Sequence, residues 1–182
     1  MQLKTQISGK YSIEDGGVFS LKKKLIEAGI TVFHPICDKI IGFDHGVPIS
    51  FVKHKGLSLF DVELDYYNCI KSSPFHIVYN CFKTTMGYIG GSVSLEITYA
   101  IVFNRPIIIC FNEIALNKAV QKKIAEIIIR NKKNFIHISL QDLSKEKILS
   151  RVGEVSYDIT PDEEAFVLDS VNDILLTYKH FI

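Results

Sequence analysis

The sequence is poor in everything that would cross-link a chain or carry it into a membrane. Its 182 residues include four cysteines, Cys37, Cys69, Cys81 and Cys110, widely spaced and with no C-x-x-C among them. That excludes a disulfide framework as the organising principle and leaves buried free thiols as the expectation. No run approaches the roughly 18 apolar residues of a membrane span. Residues 1–10 are polar where a signal peptide would have its apolar centre. Charge of one sign is lacking too: 21 Lys plus Arg against 20 Asp plus Glu leaves +1, no footprint for a nucleic-acid polymer. There is no internal repeat and no low-complexity tract. A soluble cytoplasmic protein, without membrane or nucleic acid as partner, is the expectation.

What is present is ordinary globular material, 47% hydrophobic and 23% charged. The length suits a single domain over residues 1–182, with a C-terminal helical extension from about 140 to 182. Strand and helix patterns alternate. Strands are expected at 3–8, 30–34, 75–81, 106–111 and 135–138, and helices at 18–28, 59–70, 92–103 and 114–131. Gly29 stands where a helix C-terminus wants a left-handed residue. A short helix near 143–149 and a last one over 161–178 follow. The last begins with Thr160 as N-cap, Pro161 at the first position and Asp162, Glu163 and Glu164 in the first turn. Near-continuous apolar strands between amphipathic helices predict an α/β fold. The form expected is a Rossmann-like three-layer sandwich with a doubly wound, mainly parallel five-stranded sheet.

Residues 35–58 form a long connection containing Gly42, Gly46, Pro48 and Gly56. It reads equally as a lid over a ligand or as a surface insertion or hairpin extending the sheet edge. His34, Cys37, Asp38 and His45 sketch a zinc site, but their spacing matches no common ligand pattern, so no metal and no cofactor is expected. The Lys22–Lys24, Lys122–Lys123 and Lys132–Lys133 clusters read as solvated helix faces and ends.

The sharpest signal lies over residues 86–100. Gly87, Gly90 and Gly91 let the backbone turn tightly between strand and helix and approach a ligand. The following helix would offer free N–H groups to an anion. Glu96 is the only charged residue between Lys83 and Arg105. Three residues after Ser92 stands Leu95, so Glu96 closes no capping box. Positions three and four away (Ser92, Val93, Tyr99, Ala100) hold no base, so it closes no helical ion pair. A lone carboxylate on an apolar helix is costly unless something uses it.

The run Gly87-Tyr88-Ile89-Gly90, then Leu95-Glu96-Ile97-Thr98-Tyr99-Ala100, then Asn104-Arg105-Pro106-Ile107-Ile108 resembles the nucleoside 2-deoxyribosyltransferase family, whose wider group includes nucleoside 5′-monophosphate N-glycosidases. The resemblance covers about residues 1–112 and is specific over 86–111. It implies a Rossmann-like domain, usually oligomeric, that cleaves or exchanges the N-glycosidic bond of nucleosides or nucleotides, with Glu96 at the family's nucleophilic glutamate. Two positions depart from the family's pattern. Thr98 stands where a glycine is usual, and no acid occurs near Ser73-Pro74, where an aspartate contacts sugar or base.

The chemistry fits the residue types. A carboxylate beneath C1′ can stabilise or trap the developing sugar cation, and the helix N-terminus is expected to favour its ionised form. Ser8, Gly9 and Lys10 after the first strand, with Gly87, Tyr88, Gly90, Gly91 and Ser92, are the candidate substrate-binding residues. Ser8, Gly9, Lys10 and Ser92 would form the end that receives a phosphate or the 5′ oxygen. His45, His54, Asp61, Glu63 and Tyr88 are candidate proton donors to the leaving base. A non-catalytic nucleotide-binding or sensing module of the same fold is the alternative, favoured by the two departures as isolated Glu96 favours the enzyme. A homodimer is expected from the resemblance and from the apolar runs 124–129 and 135–138.

Overall fold

The computed structural model describes residues 3–9, 17–35, 40, 43–44, 47–48, 57–82, 85–153 and 155–180. Its strands are β1 (Lys4–Thr5), β2 (Ile7–Gly9), β3 (Thr31–Val32), β4 (Phe43–Asp44), β5 (Val47–Pro48), β6 (His76–Tyr79), β7 (Cys81–Phe82), β8 (Thr85–Met86), β9 (Tyr88–Ile89), β10 (Ile107–Ile109), β11 (Ala115–Leu116) and β12 (Ile136–His137). Its helices are α1 (Gly17–Glu27), α2 (Leu59–Ser72), α3 (Gly91–Val102), α4 (Lys122–Asn131), α5 (Lys145–Arg151) and α6 (Pro161–Lys179). The fold is α/β with mostly parallel strands.

The central sheet has four parallel strands in the order β12-β10-β6-β2. Its middle strands are apolar on both sides: Ile77 and Ile108 enter one core, Val78, Ile107 and Ile109 the other. Burial on both faces is what makes these strands read as continuous apolar runs. Helices α1 and α5 cover the first face through Val18, Leu21, Leu25 and Ile148. Helices α2, α3, α4 and α6 cover the second, through Tyr67 and Ile70, Ile97 and Ala100, Ile124 and Ile128, and Val167 and Val171.

The expected five-stranded sheet is found as this four-stranded one plus a separate parallel pair, β1-β3. The first chain segment divides at Gln6. Residues before it pair with β3 on one side, and residues after it pair with β6 on the other. Backbone bonds from Phe33 to Thr5 (2.9 Å) and from Ile7 to His34 (3.1 Å) continue the contact past the assigned strands.

Helix ends follow their local chemistry. The α6 N-terminus carries a full capping box between Thr160 and Glu163 with Pro161 at its start. The helix expected over 114–131 begins only at Lys122. Asn117 accounts for the delay: its side-chain carbonyl takes the Ala119 amide at 2.9 Å and its backbone carbonyl the Val120 amide at 3.3 Å, a turn that competes with helix. Ala115–Leu116 instead pairs in parallel with β9. That pairing needs Gly87, where φ is 77° and a Cβ would lie 2.3 Å from the Glu113 carbonyl oxygen. Of the long 35–58 connection, β4 and β5 form an antiparallel hairpin pair; the rest of that stretch, including Cys37, Asp38, His45 and His54, lies outside the described residues apart from Leu57, Ser58 and residues 35 and 40.

The apolar runs read as a dimer surface are mostly spent inside the chain. Ile124, Ile127, Ile128, Phe135 and Ile138 are buried, and Ile129 is the large exposed residue among them. No helix among the described residues is long and apolar enough to cross a membrane.

His76 is fully buried in β6, and neither ring nitrogen has a hydrogen-bond partner among the described residues. Burial pushes its pKa down to about 3 from 6.5. The unfolded chain therefore binds the proton first as pH falls, and stability is lost between about 6.5 and 3. His76→Leu should remove this loss. Urea titrations should show its advantage over the wild type growing below pH 6.5 by up to about 1.4 kcal/mol per pH unit.

Candidate functional site

Three elements of the second face converge on Glu96. Ser8 stands near the end of β2 and is buried; its hydroxyl hydrogen-bonds the Glu96 carboxyl. Helix α3 carries Glu96 more than one turn inside its N-terminus, among Val93, Leu95, Ile97 and Ala100, all buried. Helix α2 brings Glu63 and Tyr67, spaced i, i+4 on one face, with Ile70 a turn further along. The Tyr67 ring meets Tyr99 of α3 edge-on, centroids 4.9 Å apart.

Glu96 is 6% exposed, and its Oε2 has no hydrogen-bond partner among the described residues. Burial is the largest influence on its carboxyl, followed by the charge of Glu63; the Ser8 hydrogen bond pulls the other way. The net result is a pKa of about 8. Burial likewise lifts Glu63 to about 7. This corrects the expectation that the helix N-terminus keeps Glu96 ionised. The helix dipole acts within the first turn and contributes at most about 1–2 kcal/mol, whereas a dry site and a second acid outweigh it. Near neutral pH the two carboxyls hold protons between them, and the titration belongs to the pair.

Two tyrosines flank the pair. Burial first, then the charges of Glu96 and Glu63, raise the Tyr67 phenol far above its ordinary value. Burial and the same two acids raise Tyr178 of α6. Neither tyrosine was singled out in the sequence; the i, i+4 spacing of Glu63 and Tyr67 is the signal that links one of them to the pair.

The other candidates separate by what already engages them. Asp61 closes the α2 capping box with Ser58, its carboxyl 2.6 Å from the Ser58 hydroxyl. The Tyr88 hydroxyl, on β9, accepts from Asn117 at 3.0 Å. Gly9 packs against Tyr79, where a Cβ would lie 2.8 Å from the Tyr79 carbonyl oxygen. Gly87 serves the β9–β11 pairing described above. Gly90 is the N-cap of α3, Ser92 is exposed, and among the described residues a Cβ at Gly91 would meet nothing within 4 Å. That end of α3 is thus open to an approaching group. Lys10, His45 and His54 lie outside the described residues. Thr98 is buried and gives its hydroxyl to the Leu95 carbonyl at 2.9 Å. Ser73 gives its own to the Cys69 carbonyl at 2.6 Å.

Comparison with known families and with curated proteins finds no family model and no curated relative that matches this chain.

A carboxyl whose folded pKa lies above its unfolded value stabilises most below 4.5, and that contribution is lost as pH rises through 7 to 8. Glu96→Gln keeps the shape and removes the ionisation. Its stability relative to the wild type should therefore grow from pH 5 to pH 8.5, at up to about 1.4 kcal/mol per pH unit, in the same urea titration. A parallel pair of curves would show that Glu96 titrates as an ordinary solvated acid.

Proposed function

We propose that the protein cleaves or transfers the N-glycosidic bond of a nucleoside or nucleoside 5′-monophosphate. The observation that supports this reading best is the buried Glu96 carboxyl beside Glu63, with the Ser8 hydroxyl upon it. The reading takes the four-stranded sheet and the β1-β3 pair together as one Rossmann-like, doubly wound layer. It takes the protein as cytoplasmic and homodimeric, with a small-molecule nucleotide as partner. Light scattering at micromolar concentration should give twice the mass of the chain; a monomer removes that part of the proposal.

In the active form the pair holds one proton. In the free protein that proton rests mainly on Glu96, whose pKa is the higher of the two; on substrate binding it passes to Glu63, leaving Glu96 ionised toward C1′ with the Ser8 hydroxyl upon it. As the C1′–N bond breaks, the base leaves with that proton, and Glu96 stabilises the sugar cation or bonds to C1′. A water or acceptor hydroxyl then bonds to C1′, frees Glu96 and returns its proton to Glu63. The open N-terminal end of α3 with Ser92, and Gly9 with Lys10, would take the phosphate or the 5′ oxygen.

A non-catalytic nucleotide sensor is the second reading. The internal hydrogen bond of Ser73 favours it, because that position serves the fold where the resembled family contacts sugar or base, and Thr98, a departure from the family's glycine, is likewise bonded internally.

A panel of nucleosides and nucleotides, followed for free base by chromatography and for thermal shift in parallel, separates the two. The enzyme releases base fastest between about pH 7 and 8, where one proton sits on the pair. Glu96→Gln should lower turnover by a thousandfold or more while binding persists. Glu63→Gln should slow the reaction and move the acid limb to lower pH, since the neighbouring charge no longer lifts Glu96. Wild-type base release from Glu96→Gln ends the nucleophile assignment. A thermal shift with no base release from any compound makes the protein a sensor.

A further inference from the structure

The opposite flank of α2 carries a second cluster. Asp65 and Cys69, also spaced i, i+4, face His34, which follows β3. His34 Nε2 lies 3.0 Å from Asp65 Oδ2, and one ligand atom from each of His34, Asp65 and Cys69 lies within 4.8 Å of the others. The His34 ring stacks on Tyr66 at 4.3 Å between centroids, and its backbone carbonyl accepts from Ile7, so the imidazole is held on two sides. His34 is 1% and Cys69 7% exposed, while the Asp65 side chain is 57% exposed. The cluster is therefore rigid and dry at two corners and open to solvent at the third.

We propose that His34, Asp65 and Cys69 form a binding site for a zinc-class divalent cation, with a water as fourth ligand on the Asp65 side. Imidazole nitrogen, thiolate sulfur and one carboxylate oxygen suit a borderline-soft ion such as Zn2+ or Co2+, not Mg2+ or Ca2+. A tetrahedral ion with bonds of about 2.0–2.3 Å sets its ligand atoms roughly 3.3–3.8 Å apart. The 3.0 Å pair is close to that spacing, and the other separations, all within 4.8 Å, need to close by at most about 1 Å, within the reach of small side-chain rotations. On binding, His34 gives the Nε2 lone pair with its proton on Nδ1, Asp65 gives a carboxylate oxygen, and the Cys69 thiol proton leaves to solvent. Three donors with one open position resemble a catalytic zinc arrangement more than a closed structural one. The site joins the segment after β3 to α2, the helix that also carries Glu63. The zinc sketch readable in the sequence shares His34 with it; the other two ligands come from a helix far along the chain.

Metal-depleted full-length protein, kept reduced with a phosphine, is titrated with Co2+. The expected result is a thiolate-to-cobalt charge-transfer band with visible tetrahedral bands, saturating at one ion per chain and displaced by Zn2+. Cys69→Ser should abolish the charge-transfer band. Asp65→Asn, at an exposed position, should stay folded and bind Co2+ at least tenfold more weakly. No band at saturating cobalt overturns the proposal, as does an unchanged band in Cys69→Ser. If Cys69→Ser does not fold by circular dichroism, Asp65→Asn decides alone, and wild-type cobalt affinity in that folded variant overturns the site.

Discussion

A buried carboxyl on α3 and a half-buried one on α2 lie close enough that the second raises the protonation of the first, and much of the second face is arranged around that fact. A buried acid is tolerated when it stays protonated or finds donors, and Glu96 does both in part: one hydroxyl from Ser8, and a proton held by burial and Glu63. Tyr67 of α2 and the buried Leu95, Ile97 and Ala100 of α3 lie about Glu96 on the same core face. This burial makes the pair an acid–base device near neutral pH and a liability for folding as pH rises. Fold and chemistry thus draw on the same loss of hydration with opposite signs.

The sheet positions this pair by its middle. Strand β6 is hydrogen-bonded to β2 on one side and β10 on the other, so the end of β2 is fixed against the start of α3. Ser8 pairs with Val78 in that ladder, which sets the hydroxyl where the Glu96 carboxyl arrives. Helix α2 then faces two ways. Glu63, Tyr67 and Ile70 turn toward α3, while Asp65, Tyr66 and Cys69 turn toward the segment after β3. One helix serves two polar clusters because acids two residues apart lie on nearly opposite sides of it.

Much of the element order was legible because the patterns were local. The apolar strands Ile7, Ile77–Val78 and Ile107–Ile109, and the Thr160–Pro161–Glu163 start of α6, follow rules that act within a few residues. The misreadings are of another kind. Residues 114–121 look helical by apolar spacing, yet Asn117 turns the chain with its own side chain and Gly87 supplies a strand partner. The division of the first strand at Gln6 depends on which neighbour each side pairs with. The apolar runs over 124–129 and 135–138 look like surplus surface until α3 and β10 are placed beside them.

By itself the sequence determined that the chain alternates strand and helix around parallel apolar strands, and that Glu96 is an acid with no local employment. Both follow from spacing, which reaches only to residues three or four away on a helix and two away on a strand. Only the tertiary structure decided that Glu96 is buried, that Glu63 and Ser8 are its neighbours, and that its carboxyl is lifted rather than held ionised. Desolvation and charge act through space across 10 Å or less, whatever the separation along the chain, so the protonation of a side chain is settled by the packing around it.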